Sequence, residues 1–290
     1  MGQITTDRSD EADLTQAKLA AHDARWSDAD RMVRRYLASH QASAEGRYLL
    51  ALALFHENRP KESLTEYTHA SNLKTPTATD LRDVAYDYVL LNDYADADKW
   101  MTKSVSWNGT DAETWYALGR IKYTENRFAE AVSSFQRSLE LQPKLVKAEN
   151  NLGLAYEGLN RPRDAIAAYR QAIAWQQNET HPSEQPYLNL GTLLLDRNQT
   201  DEARVLLTRA ASLAPQDSKI HAALGRLYRH TGDLAHAQSE FEQAVAADPK
   251  NAALRFQLGQ VYRNEGQQAK AKAELARAAE LDGTHSSSDK

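Results

Sequence analysis

The chain has 290 residues, with 35 Lys and Arg against 40 Asp and Glu, a formal net charge of −5 and no cysteine. The absent thiols exclude a disulfide scaffold, a Cys-based zinc site and a thiol nucleophile; the acidic balance argues against a general nucleic-acid-binding surface, so no nucleic-acid partner is expected. Twelve Gly and eight Pro are few helix breakers for this length, which leans the chain towards helix.

In chain order, Met1-Gly2-Gln3-Ile4-Thr5-Thr6 opens without a visible secretory leader. Gly2 and Thr6 fit the loose myristoylation pattern, but Asp7, Asp10, Glu11 and Asp13 carry the wrong charge for the basic patch a single acyl chain needs. Residues 1–9 are expected to form a flexible leader. The longest apolar run, from Tyr48 to Phe55, stops at His56, far short of the roughly 18 residues of a membrane span.

From residue 10 the sequence repeats. Gly119 recurs as Gly153, Gly191, Gly225 and Gly259, and backwards as Ala85, Ala51 and Ala17, in steps of 34 residues except for one of 38 between Gly153 and Gly191. A second column runs Ala29, Ser63, Ala97, Ala131, Ala165, Ala203, Ala237, Ala271, and a third runs Tyr36, Ala70, Ser104, Ser138, Ala172, Ala210, Ala244, Ala278. Eight units follow, starting near 10, 44, 78, 112, 146, 184, 218 and 252. Each reads as two helices, with Leu118 and Ile121 in the first of the fourth unit and Ala131, Phe135 and Leu139 at helical spacing in the second. Asn58, Asn92, Asn126, Asn160, Asn198, Gly232 and Gly266 stand between the helices, where a left-handed residue closes the first one. Pro143, Pro215 and Pro249 stop the second. The small columns mark close helix crossings; a bulky residue at Ala131 or Gly119 is expected to cost about 1 to 3 kcal/mol by overpacking. The four extra residues near 176–183 read as a longer turn. The last helix, 269–281, carries mainly Ala and charge and serves as its own cap, followed by a disordered tail at 286–290.

Trp115, Leu118-Gly119, Tyr123, Phe128, Ala131, Phe135 and Pro143 together resemble the tetratricopeptide repeat, a helix-turn-helix unit of 34 residues. The resemblance covers 10–285 and implies an all-α fold, a right-handed superhelical α-solenoid in a single domain. The first helix of each unit, helix A, is then expected to line a concave face. The first unit departs most, with Gln16, Ala24 and Tyr36 at pattern positions, as terminal units commonly do.

On that geometry the candidate peptide-binding groove consists of Tyr48, Phe55, Arg82, Tyr86, Tyr116, Arg120 and Tyr123, then Lys147, Asn150, Asn151, Asn189, Lys219, Arg226, Arg229, Gln257 and Arg263. The first half is rich in aromatics and the second in amides and cations. Asn151 and Asn189 share one column with Gln257, and a ladder of amides can pair with an extended backbone of any sequence. The family's clamp for acidic C-termini is matched in part: Asn189 and Lys219 fit, whereas Asn150 stands where a Lys is expected and Ala223 where another base should be.

Catalytic motifs are lacking. No phosphate-cradling Gly-rich loop, nucleophile elbow or zinc-binding His pair occurs, and Ser71-Asn72-Leu73-Lys74 lacks its companion motifs. His22 and His56 are equivalent in adjacent units but have no third ligand, so neither a metal nor another cofactor is expected. The Asn-x-Thr strings at Asn108, Asn178 and Asn198 matter only in a eukaryotic secretory setting. The expected function is a non-enzymatic scaffold or adaptor that holds an extended or helical, acidic segment of a protein partner. The alternatives are a self-associating structural scaffold and a substrate-selecting subunit of a separate enzyme. The cytoplasm is the expected location, or an exported one if a leader has been removed.

Overall fold

The computed structural model describes the backbone of residues 3–288 and the side chains of 12–283. Those residues form sixteen helices and no strand. Up to Pro143 one compact unit holds α1 (Gln3–His22), α2 (Trp26–Ser39), α3 (Ala44–His56), α4 (Pro60–Leu73), α5 (Ala78–Leu90), α6 (Tyr94–Trp107), α7 (Ala112–Thr124) and α8 (Phe128–Leu141). From Lys144 a second holds α9 (Val146–Gly158), α10 (Pro162–Trp175), α11 (Gln185–Asp196), α12 (Thr200–Leu213), α13 (Ser218–His230), α14 (Leu234–Ala247), α15 (Ala252–Asn264) and α16 (Gln268–Ser288). Inside each unit an odd helix packs on the even helix that follows, and the even helix on the next odd one. This is a tandem array of helix pairs. Of the expected leader and tail, Met1, Gly2, Asp289 and Lys290 lie outside the described residues, and the rest continues α1 and α16, which no Pro interrupts.

The helix ends follow from local chemistry. Asn58, Asn92, Asn126, Asn160 and Asn198 take φ between 54° and 60°, and Gly232 and Gly266 take 81° and 77°. At each such turn the next residue donates back across the helix end, as Arg59 N–H does to the Leu54 carbonyl at 2.9 Å and Asp233 N–H to that of Tyr228 at 2.9 Å. This is the Schellman closure, which satisfies carbonyls the helix leaves open. Ala24 makes the same turn at φ 57°. Helix starts use side-chain caps where Ser43, Thr77, Asp93, Asp111, Asp217, Asp233 or Asn251 precedes the first turn.

The small columns are crossing points. A Cβ built on Gly119 would lie 2.6 Å from the Phe135 ring, and one on Gly153 2.4 Å from that of Tyr169. Phe135, Tyr169 and Phe241 are fully buried, facing Gly119, Gly153 and Gly225 in turn. The 38-residue step is a built turn: the buried Gln176 donates from Nε2 to the Ser183 carbonyl and accepts from Ser183 N–H, both at 2.8 Å.

Two polar devices recur along the array. Arg47, His221 and Arg255, at one repeat position, each reach a carbonyl six residues back and a glutamate nineteen residues on. Arg59 and Arg127 each hold an acid of the preceding helix pair, Asp30 at 3.2 Å and Asp98 at 2.6 Å, while Gln267 bonds Gln238 at the equivalent place.

Candidate functional site

In the second unit, helices α9, α11, α13 and α15, the first of each pair, open onto a cavity of about 420 Å³. Its apolar wall comes from Leu154, Leu188, Ala222, Ala223 and Leu254. Its polar groups are Glu157, Asn189, Thr192, Ser218, Lys219, Arg226 and Asn251. Lys219 is exposed and has no acidic partner, whereas Arg226 pairs with Asp196 at 2.5 Å. Burial raises the Glu157 carboxyl above the usual carboxylate range, against the hydrogen bond donated by the Tyr169 hydroxyl at 2.5 Å, with the charge of Asp196 adding to the rise. A smaller space of about 280 Å³ adjoins at Arg226 and continues past Asp196 to Arg229 and His230.

The structure departs from a ladder of free amides. Asn150 is buried and accepts a hydrogen bond from Asn189 Nδ2 at 2.9 Å. Asn151 donates instead to the Lys147 carbonyl of its own helix at 2.7 Å. Gln257 accepts from Arg229. For Asn150 burial is the physical reason, since an amide taken out of water must find its partner inside the fold, whereas Asn151, Asn189 and Gln257 are half-buried. Of the expected groove cations, Lys219 and Arg226 line the larger cavity; Arg263 lies exposed on α15. Thr192, Ser218 and Asn251 were not among the candidates. Thr192 falls in the column of Arg120, Leu154 and Arg226, so the repeat period was the signal for it; Ser218 and Asn251 sit at helix starts, where capping is the plainer reading of such residues.

In the first unit the aromatic candidates pack on one another or on the core. Phe55 stacks on Tyr86 with ring centroids 6.0 Å apart, Tyr116 leans on Phe135 at 5.9 Å, and Tyr123 meets Phe128 edge-on at 5.4 Å. Arg120 lies over Tyr116 at 6.0 Å, and Arg82 bonds Asp111 at 3.1 Å. Tyr48 donates to the Lys74 carbonyl at 2.8 Å, leans on Tyr67, and lines a different cavity of about 290 Å³ bounded by α4, α5 and α6. His56 stacks face to face on Trp26 at 3.7 Å, while His22 reaches only its neighbour Asp23.

Two carboxylates of α5 are buried on one helical face. Burial raises Asp83 to about 6 despite Arg82 beside it, and Asp87 to about 7 despite a hydrogen bond with Ser63 at 2.6 Å. They sit under Tyr67 and Ser63 inside the array, away from the larger cavity's walls. Among the described residues no three His, Asp or Glu side chains are grouped to hold a metal, and no helix is long and apolar enough to cross a membrane.

Sequence models of the tetratricopeptide repeat match residues 14–70, 116–179, 158–227 and 228–287. The chain is 26% identical over 132 residues to protein O-mannosyl-transferase TMTC3 of Mus musculus, covering 41% of this chain and 14% of that protein. It is 28% identical over 106 residues to the chloroplastic tetratricopeptide repeat domain-containing protein PYG7 of Arabidopsis thaliana, covering 35% of each. The chain therefore spans only 14% and 35% of the length of these two relatives. The crystal structure of a tetratricopeptide repeat protein from Parabacteroides merdae superposes with a TM-score of 0.69 at 14% identity, over 88% of this chain and 99% of that one. That likeness is one of fold.

Proposed function

The chain belongs to the tetratricopeptide repeat family, and we propose that it is a non-enzymatic adaptor holding an extended or helical segment of a partner protein along its first-of-pair helices. Proteins built of these repeats generally act as protein-interaction scaffolds. The observation that carries the reading is the cavity lined from α9, α11, α13 and α15. Four consecutive helix pairs supply an apolar wall with a polar rim, the surface a segment crossing several repeats requires. The exposed Lys219, which has no acidic partner, favours an acidic segment.

The test is a pull-down from the source lysate with wild type and Lys219→Glu, at two salt concentrations, with captured proteins identified by mass spectrometry. Lys219 is exposed, so the variant keeps its fold, which circular dichroism checks. The expected result is a partner retained by wild type, lost at high salt, and reduced by about fivefold or more in the variant. An unchanged set of captured proteins would overturn the groove reading.

A further inference from the structure

The first unit carries a second recess that the groove does not use. Asp80, Val84 and Tyr88 reach it from α5, on the side of that helix roughly opposite Arg82, Tyr86 and Val89 by the period of about 3.6 residues per turn. Its walls are apolar: Leu64, Tyr67, Val84 and Trp100. Its volume is about 290 Å³; a dry cavity of about 150 Å³ already admits benzene, so one large side chain has room here.

Nearly every polar group around the recess is committed elsewhere. Asp80 accepts from Thr77 N–H at 2.6 Å and from the Thr77 hydroxyl at 2.8 Å. Thr68 and Ser71 donate their hydroxyls to carbonyls of α4, at 2.8 and 2.9 Å. The Tyr48 hydroxyl is held by the Lys74 carbonyl, and Tyr88 shares a hydrogen bond with Trp100. Lys103 is the exception. Its ammonium has no acidic partner and lies 5.2 Å from the rings of both Trp100 and Trp107. Trp107 is 48% exposed, an unusual place for an indole. Trp and Tyr are among the residues that carry most of the binding energy at protein interfaces.

We propose that this recess is a docking site for a partner protein's short segment carrying one bulky apolar side chain, Phe, Leu or Trp, next to a carboxylate. The apolar side chain enters between α4 and α6, and the carboxylate meets Lys103 above the two indoles. Lys103 is the one cation lining the recess and has no acidic partner, whereas Asp80, the one carboxylate lining it, is held on α5 by the Thr77 N–H and hydroxyl, so a carboxylate on the segment is drawn to the α6 side. The recess shares no lining residue with the cavity of the second unit.

The test uses the full chain and two fluorescein-labelled synthetic heptapeptides, each with a central Phe, flanked by Asp and Glu in one and by Lys in the other. Fluorescence anisotropy is read on wild type, Lys103→Glu, Thr68→Trp and, as a control, Lys219→Glu. Thr68 and Lys103 are exposed helix positions, so both variants fold, and Thr68→Trp fills the recess from its rim. The acidic peptide should saturate wild type at or below about 100 μM. Each of the first two variants should weaken it by about fivefold or more, and the control should leave it unchanged. The Lys-flanked peptide should bind at least about fivefold more weakly than the acidic one. Failure to saturate wild type, equal binding of the two peptides, or affinity unmoved by Lys103→Glu and Thr68→Trp would overturn the proposal. Loss only in the Lys219→Glu control would place the peptide in the groove and equally refute it.

Discussion

At the scale of the residue, Asp87 shows how burial and a hydrogen count bear together on a protonation state. The Ser63 hydroxyl lies 2.8 Å from the Ala51 carbonyl and 2.6 Å from Asp87 Oδ2, yet it owns one hydrogen. If that hydrogen goes to the carbonyl, which can only accept, Asp87 must supply the other, and its Oδ1 is left buried without a partner. Burial, which raises this carboxyl to about 7, acts in the same direction. An unfolded Asp titrates near about 3.9, so between roughly pH 4 and 7 the native chain holds a proton that the unfolded chain has lost. The stability this supplies is complete below that window and falls as pH rises through it. His221 adds to the fall: burial opposes its charge, but the bonds to Glu240 and the Pro215 carbonyl raise its pKa, so its contribution is lost as pH climbs above the ordinary histidine range. The urea midpoint should therefore drop from pH 5 to pH 8, and Asp87→Asn should flatten the drop and gain about 1 to 3 kcal/mol at pH 8. Identical slopes for variant and wild type would show that no proton is held at Asp87. Ala24 offers a simpler case, since a side chain at φ 57° costs what Asn or Gly avoids. Ala24→Gly should raise stability by up to about 1 kcal/mol in the same titration, and a loss would mean the turn is not strained.

At the scale of the element, the repeat period and the turn chemistry were legible in the sequence because both are local. The Asn and Gly column and the prolines act within a few residues of their own position, and the structure ends helices where they indicated. The small columns were legible too, but what fills each space was not. Gly153 faces Tyr169, whose hydroxyl is held by Glu157 at 2.5 Å, so the ring cannot swing away from a new methyl 2.4 Å distant. Gly153→Ala should destabilise by about 1 to 3 kcal/mol even after the gain of roughly 1 kcal/mol in helix propensity. Denaturant unfolding checks it, and a neutral result would mean that α10 slides on α9 freely. The devices at Arg47, His221 and Arg255 were hidden because two different residue types, Arg and His, do one job. Only their shared partners, six residues back and nineteen ahead, reveal it.

At the scale of the whole molecule, stability is a sum of neighbour contacts, since helices pack on those adjacent in the array. Ala24→Gly, between α1 and α2, and Gly119→Ala, on α7 against Phe135, share no packed helix. Their effects should add to within about 0.5 kcal/mol in the double variant, and a larger coupling would show that the first unit responds as one block. The all-α tandem architecture and the left-handed turn that closes the first helix of each pair follow from the sequence alone, because a repeat that recurs every 34 residues needs only local rules and its neighbour. Only the tertiary structure decided which polar side chains stay available. Asn189 is tied to Asn150 thirty-nine residues away, Arg226 to Asp196 thirty away, and Arg229 to Gln257 twenty-eight away. Such pairings join residues of successive helix pairs, so they depend on how one helix pair settles on the next, which no local rule of the repeat sets.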